Sequence, residues 1–234
     1  MEATLRYVAP CQFGLEGILA GELRRMDAQD VLAENGRVLF SGGWEAMVRA
    51  NLNSLLGEFT AKSFEGLYQG MKAIPLEEFI GKADRFPVKG YSLNSTLHSV
   101  PDCQSILKKA AVDRLKQHYR IDWFPEKNAL CQLQFSILKD RVSILLDTSG
   151  PGLHKRGWRA HSNAAPKETL AAGIVDCARV KGYSTVCDPF CGSGTLIIEA
   201  ASKALNIPPC LRRRFAAQEF GFVPESVWQQ ERTR

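Results

Sequence analysis

At about 150 residues per domain, a chain of 234 residues holds one to two compact units, or three small ones. Hydrophobic residues at 45% and charged residues at 24% are ordinary globular values, which excludes collagen-like, low-complexity and wholly disordered classes. A chain of this size buries roughly 70% of its unfolded surface, enough for a core without staples. No run of 18 apolar residues occurs, Met1–Pro10 lacks the pattern of an export signal, and the seven cysteines form no Cys-x-x-Cys pair. The expectation is a cytoplasmic protein with reduced thiols and no metal site. The net charge of +5 is uneven: residues 1–56 carry five basic and seven acidic side chains, 57–149 carry 13 and 11, and 150–234 carry 12 and 7. The excess around Lys155, Arg156, Arg159 and Arg212 to Arg214 points to a polyanionic partner.

Along the chain, Arg6–Ala9 reads as a strand, and Leu15, Ile18, Leu19, Leu23 and Met26 recur at helical spacing. Asn35-Gly36 marks a turn before a strand at Arg37–Phe40, and Trp44, Met47, Val48, Leu52 and Leu55 form a second helical stripe. This order predicts a small α+β unit over residues 1–56. A second unit is expected over 57–149, with a strand near Phe59–Phe64, a helix around Leu76–Ile80 and a long helix from Val100 capped by Asp102. Its helical stripe is Cys103, Ile106, Leu107, Ala110, Ala111 and Leu115. Leu133, Phe135 and Ile137, then Val142, Ile144 and Leu146, alternate with polar residues as in a hairpin through Lys139-Asp140. Ser149-Gly150-Pro151-Gly152 breaks both periods and opens a linker expected over 150–164. Beyond it come a helix starting near Pro166, a short buried strand at Ser184–Cys187, a glycine loop at Asp188–Thr195 and a helix at Leu196–Leu205.

The glycine loop, Asp188-Pro189-Phe190-Cys191-Gly192-Ser193-Gly194-Thr195, carries the most chemistry. Glycines between a strand and a helix allow a tight turn and let a ligand lie against the main chain. A P-loop would need lysine after the last glycine, where Thr195 stands, which also argues against a nucleotide hydrolase; a dinucleotide loop would need glycine where Ile197 stands. An acidic residue followed by Gly-x-Gly suits a ligand with a carboxylate, an amine and a sulfonium, namely S-adenosylmethionine. Taken alone, a ligand-free strand-to-helix turn explains the motif equally well.

Asp188 to Thr195, followed by Ile198-Glu199-Ala200-Ala201, closely resembles motif I of the THUMP-containing RNA methyltransferases. The likeness extends to Asp147-Thr148-Ser149-Gly150, to Gly152–Arg159, to Ala165–Ala172, and to Ser99-Val100-Pro101-Asp102-Cys103-Gln104 with the helix and hairpin that follow. It spans essentially the whole chain, and within the family it is nearest the bacterial class that methylates guanine N2 in large-subunit ribosomal RNA, a class often labelled as adenine-N6 DNA methylases. The resemblance implies an α/β protein: a ferredoxin-like domain at 1–56, a THUMP RNA-binding domain at 57–149, and at 165–234 the first part of a Rossmann-like methyltransferase. It places Asp188, Pro189, Phe190, Gly192, Ser193, Gly194 and Thr195 around the methionine end of S-adenosylmethionine, with Pro166, Lys167, Glu168 and Thr169 closing the pocket. The family's Asn/Asp-Pro-Pro-Tyr motif does not occur in the 234 residues, so the catalytic residues stay unassigned and this chain alone is expected to be inactive; a non-catalytic RNA-binding module is the alternative.

For RNA, the candidates are Lys108, Lys109, Arg114 and Lys116 on the long helix, and Lys155, Arg156, Trp158 and Arg159 in the linker. The plainer alternatives are a solvated helix face and a tryptophan packed between domains. Arg212 to Arg214 reads as a solvated loop, Cys187 and Cys191 as ordinary packing, the four histidines as structural, and Glu199 as structural within its helix.

Overall fold

The protein is described by a computed structural model covering residues 5–50, 53–156, 158, 166–209 and 213–233. The chain opens with β1 (Leu5–Pro10), α1 (Glu16–Arg25), β2 (Gln29–Glu34), β3 (Arg37–Gly42), α2 (Trp44–Ala50) and β4 (Asn53–Thr60). It continues through α3 (Phe64–Ala73), a 3-10 turn at Leu76–Glu78, β5 (Val88–Leu93), α4 (Val100–Tyr119), β6 (Leu133–Leu138) and β7 (Arg141–Leu146). The last elements are α5 (Glu168–Cys177), α6 (Thr195–Ala204), a second 3-10 turn at Ala216–Glu219, and α7 (Glu225–Thr233). The fold is α/β, as expected. Among the described residues no helix is long and apolar enough to cross a membrane.

The seven strands of the described residues form one sheet, in the order β2-β3-β1-β4-β7-β6-β5. β4 joins its two halves: Ser54 lies opposite Tyr7 of β1 on one side and Leu146 of β7 on the other. Residues 56 and 57, the expected boundary, therefore sit inside a strand. One face of the sheet carries Tyr7, Phe40, Leu133, Phe135 and Ile144. They share a continuous core with Leu23, Met47, Leu67, Met71, Leu107 and Leu115 of the helices. The opposite face holds a small apolar cluster of Val8, Leu39 and Leu145. Beside it Glu58 gathers Arg141 at 2.9 Å, the Ser143 hydroxyl at 3.0 Å, Arg6 at 3.5 Å and Arg37 at 3.6 Å.

Several expectations need correction. The strand placed at Phe59–Phe64 ends at Thr60, because Ser63 caps α3 by accepting the Gly66 N–H at 3.1 Å and Phe64 is already helical. Of the stripe through Leu55, Trp44–Ala50 is helical, Leu52 lies outside the described residues and Leu55 belongs to β4, while the helix near Leu76 is a single 3-10 turn. Asp102 does not cap α4: Ser99 occupies that position without a side-chain bond, and Asp102 only adds charge to the first turn. β2 and β5 escaped the sequence reading because neither alternates cleanly; they are the two edges of the sheet. The hairpin stands, and its turn needs no glycine. Lys139 and Asp140 adopt φ of 50° and 65°, and Asp140 is held there by accepting the Thr96 N–H on Oδ1 at 2.7 Å and by donating its own N–H to the Ser95 hydroxyl at 3.1 Å. The strand expected at Ser184–Cys187 is not formed: these residues are exposed and outside every ladder. An interior parallel strand needs a partner on each side to satisfy its backbone, and no described strand lies beside this segment.

α5 and α6 pack through Val175 and Ala200, with Val180 of the following loop joining their cluster, and Lys203 pairs with Asp176 across them. α5 abuts Leu15, the N-cap of α1, so closely that a Cβ at Gly173 would stand 2.9 Å from Leu15 Cδ2. The chain then turns back. Phe222 meets Trp44 at 5.5 Å and Phe79 at 5.6 Å, Trp228 is buried in the core of the sheet, and Arg49 holds Glu231 through two bonds of 2.7 and 3.0 Å.

Two tests follow from this packing. A Cβ at Gly90 would lie 2.0 Å from the Phe135 carbonyl oxygen, a backbone atom of the paired strand. Gly90→Ala is expected to cost about 1–3 kcal/mol and to free β5 while β1 to β4 hold, seen as faster amide exchange confined to residues 88–93. Arg114 bridges α4 to the turn before β5, donating from Nε to Glu77 at 2.9 Å, from Nη2 to the same carboxylate, and from Nη1 to the Lys72 carbonyl at 3.3 Å. These guanidinium bonds hold the Glu77 carboxyl below the usual carboxylate range. Because the folded value is depressed, the stabilisation is present at neutral pH and is lost as pH falls through that depressed value. Arg114→Gln is expected to lower stability by roughly 1–2 kcal/mol at pH 7, with the deficit shrinking in acid; urea titrations across pH measure it.

Candidate functional site

The glycine loop ends on the N-terminus of α6. Gly194 occupies the N-cap at φ 72° and Gly192 has φ 51°, both in the left-handed region that glycine enters without penalty. The turn is closed by the Gly194 N–H on the Cys191 carbonyl at 2.7 Å and by the Phe190 N–H on Asp188 Oδ1 at 3.1 Å. The hydroxyls of Ser193 and Thr195 lie 2.9 Å apart. Neighbouring side chains do not press on the two glycines. The nearest atom to a Cβ at Gly192 would be the Phe190 oxygen at 3.8 Å, and at Gly194 it would be Ile198 Cδ1 at 3.7 Å. The bend thus presents bare main chain to open space, with helix N–H groups behind it that favour an anionic group such as a carboxylate.

α5 begins next to this bend. Lys167 is its N-cap, and Glu168, its first residue, is buried. The Asp176–Lys203 pair joins the far ends of α5 and α6, and Glu168 at the start of α5 lies near enough to Glu199 of α6 to act on its charge. Glu199, one turn after Thr195, is also buried, and it accepts two bonds from Arg156, from Nε at 3.1 Å and Nη2 at 3.3 Å. Burial pushes the Glu199 carboxyl up, opposed by the Arg156 guanidinium and reinforced by Glu168. Of the expected cofactor residues, Asp188 to Thr195 form one loop and Glu168 is enclosed near it, whereas Pro166, Lys167, Thr169 and Phe190 face solvent.

The residues expected to meet RNA divide sharply. Lys108 donates to the Phe86 carbonyl at 2.9 Å and stands 3.6 Å over the Phe86 ring, Arg114 is bound to Glu77, and Arg156 is bound to Glu199. Lys109 and Lys155 are exposed, Lys116 is half-buried, and Trp158 is half-buried. Arg159 and Arg212 lie outside the described residues. Arg213, expected in a solvated loop, instead donates to the carbonyls of Ser149 at 2.9 Å, Gly152 at 3.0 Å and Pro151. The sequence reading missed Trp123, which is 72% exposed on the rim of a groove with Lys116, Val112 and Phe86. Its signal was the Trp123-Phe124 pair after a helix, of which Phe124 packs edge-on to Phe86 at 5.1 Å and leaves the tryptophan outside.

Three family models match the chain in order: the RlmL ferredoxin-like domain over residues 6–57, the THUMP domain over 61–147, and the RMKL-like methyltransferase domain over 156–234. The Bacillus subtilis protein named "Putative RNA methyltransferase YpsC" is 40% identical, with 96% of this chain and 61% of that protein covered. A Listeria monocytogenes protein described as "a predicted N6-adenine-specific DNA methylase" superposes with a TM-score of 0.94 at 41% identity, over 99% of this chain and 63% of that one. SMU.472, "a putative methyltransferase complexed with SAH", does so with a TM-score of 0.92 at 36% identity, over 100% and 64%. The chain thus spans somewhat more than three fifths of the length of these relatives. With all three modules present in sequence and in order, the chain has the domain composition of the THUMP-containing RNA methyltransferases.

Proposed function

We propose that this chain forms the RNA-docking portion and the cofactor-facing opening portion of an S-adenosylmethionine-dependent RNA methyltransferase. Its target is an exocyclic base amine, guanine N2 of large-subunit ribosomal RNA. The observation that carries this reading is the bend of bare main chain at Gly192–Thr195, with two left-handed glycines and no side chain closing it. The methionine carboxylate fits the α6 N–H groups, and Asp188 supplies the acidic side of the cradle. The bound cofactor would supply the methyl group. SMU.472 with its SAH supports the cofactor class, and the THUMP module favours RNA over DNA as the polymer. For docking, the exposed lysines Lys109 and Lys155, with Lys116, are the candidate cations whose ammonium groups have no carboxylate or carbonyl partner among the described residues and can meet phosphates.

Methyl transfer to a base amine is an in-line displacement whose rate comes largely from positioning, and the base must leave its helix to be reached. No Asn/Asp-Pro-Pro-Tyr occurs among the 234 residues to hold such an amine, which supports docking and cofactor contact without turnover by this chain. A purely RNA-binding role is the second reading, favoured by the exposed, unpaired Ser184–Cys187 segment beneath the loop.

Calorimetry with S-adenosylhomocysteine separates the two. Binding by the unmodified chain, lost at least tenfold in Gly194→Val because a β-branched residue is strained at φ 72°, is the expected result. RNA affinity without any cofactor binding would leave the second reading. Labelled methyl transfer by the chain alone to unmodified ribosomal RNA would overturn the assignment of catalysis to residues it lacks. Lys109→Glu with Lys155→Glu is expected to weaken RNA binding and flatten its salt dependence in filter-binding titrations.

A further inference from the structure

We infer that Arg156 is a positioning residue for the cofactor cradle and not a contact for RNA phosphate. Through Glu199 it fixes the first turns of α6, and so the Gly192–Thr195 bend, to the passage from the sheet into the methyltransferase segment. This inference rests on the cofactor reading proposed above and assigns that site a residue from outside its motif.

The geometry is specific. Arg156 and Glu199 meet through two nearly parallel bonds of 3.1 and 3.3 Å, the fork geometry of guanidinium on carboxylate, with side chains only 10% and 9% exposed. A guanidinium so enclosed, with its fork filled, is not presented to a phosphate. A buried ion pair is also a poor device for stability as such, since desolvating two charges offsets most of their attraction and an apolar pair would pack as well. Its distinctive property is direction: it fixes one registry between two segments. Those segments are the ones that matter here. Glu199 lies four residues after Thr195, on the same face of α6 one turn along, and Thr195 is itself buried and linked through its hydroxyl to Ser193. Arg156 is held in turn, because its N–H donates to the His154 carbonyl at 3.0 Å, the Lys155 N–H to the Gly152 carbonyl at 2.9 Å, and Arg213 grips that same Gly152 carbonyl at 3.0 Å. The bend between α5 and α6 has no strand beneath it in the described residues, so a lateral anchor on α6 does what an underlying ladder would do elsewhere.

The test compares Arg156→Gln, Glu199→Gln and Arg156→Lys with the unmodified chain by calorimetry with S-adenosylhomocysteine, RNA filter binding across salt, and hydrogen exchange. The two glutamine variants should each weaken S-adenosylhomocysteine about tenfold. Arg156→Lys, which keeps the charge without the fork, should recover part of that loss. The double glutamine variant should be no weaker than the worse single one. Exchange should quicken at residues 192–198 and stay unchanged in β1 to β7, and RNA affinity and its salt slope should not move. Variants that stay folded and bind S-adenosylhomocysteine as tightly as the unmodified chain overturn the inference. So does a fall in RNA affinity with a shallower salt slope in Arg156→Lys and Arg156→Gln, which would make Arg156 a phosphate contact. An unmodified chain that binds no S-adenosylhomocysteine refutes the cofactor reading itself, and the inference with it.

Discussion

Two arginines clasp the passage from the sheet to the methyltransferase segment from opposite directions. Arg213, which follows α6 in sequence, reaches back to the carbonyls of Ser149, Pro151 and Gly152, and Arg156, which precedes α5, reaches forward to Glu199. Asp147 prepares the site by accepting the N–H groups of Ser149 and Gly150, each at 2.9 Å, while its other oxygen takes the amides of Gln132 and Gln134. A stretch rich in glycine and proline would by composition be a hinge. Here the carbonyls of Thr148, Ser149, Pro151 and Gly152 each have a donor, which ties the start of the passage to the residues that follow α6. The return of Phe222, Trp228 and Glu231 to the sheet's own core secures the same relation a second time.

This internal use of charge changes how the positive balance is read. The net charge of +5 and its concentration toward the C-terminal third suggest a polyanion-binding strip, yet Arg156 and Arg213 there and Arg114 on α4 are engaged within the protein. The division has a chemical basis. A planar fork of donors is suited to carboxylates and carbonyls in fixed geometry, whereas an ammonium on a flexible stem tolerates solvent, so the lysines are what remain on the outside. Lys108 and Lys203 depart from this: Lys203 pairs with Asp176, and Lys108 is spread over the Phe86 ring with burial lowering its affinity for the proton.

How far the sequence was legible follows from which forces act locally. The stripe Cys103, Leu107, Ala110, Ala111 and Leu115 is buried as read, because a 20-residue helix declares itself through its own period. The β6–β7 hairpin declared itself through alternation. β5 did not, since Lys89, Gly90 and Tyr91 are exposed at an edge and only pairing with β6 makes them a strand. The glycine bend was recognisable from its residues, but the strand before it was not to be had from Ser184–Cys187, because a parallel strand is a property of its neighbours. Arg156 was visible as a cation. Its role was hidden, because nothing in a linker's composition reveals a carboxylate 43 residues away.

The shared strand has a consequence for what counts as a part of this protein. Sequence likeness parts the ferredoxin-like and THUMP modules at residues 57 and 61, yet β4 donates backbone bonds to both, and a cut there would leave two raw sheet edges able to pair with any exposed strand. The two modules are therefore separable as text but not as matter, and recombination between homologues that splices at this point must carry the strand whole or yield a polypeptide prone to aggregate.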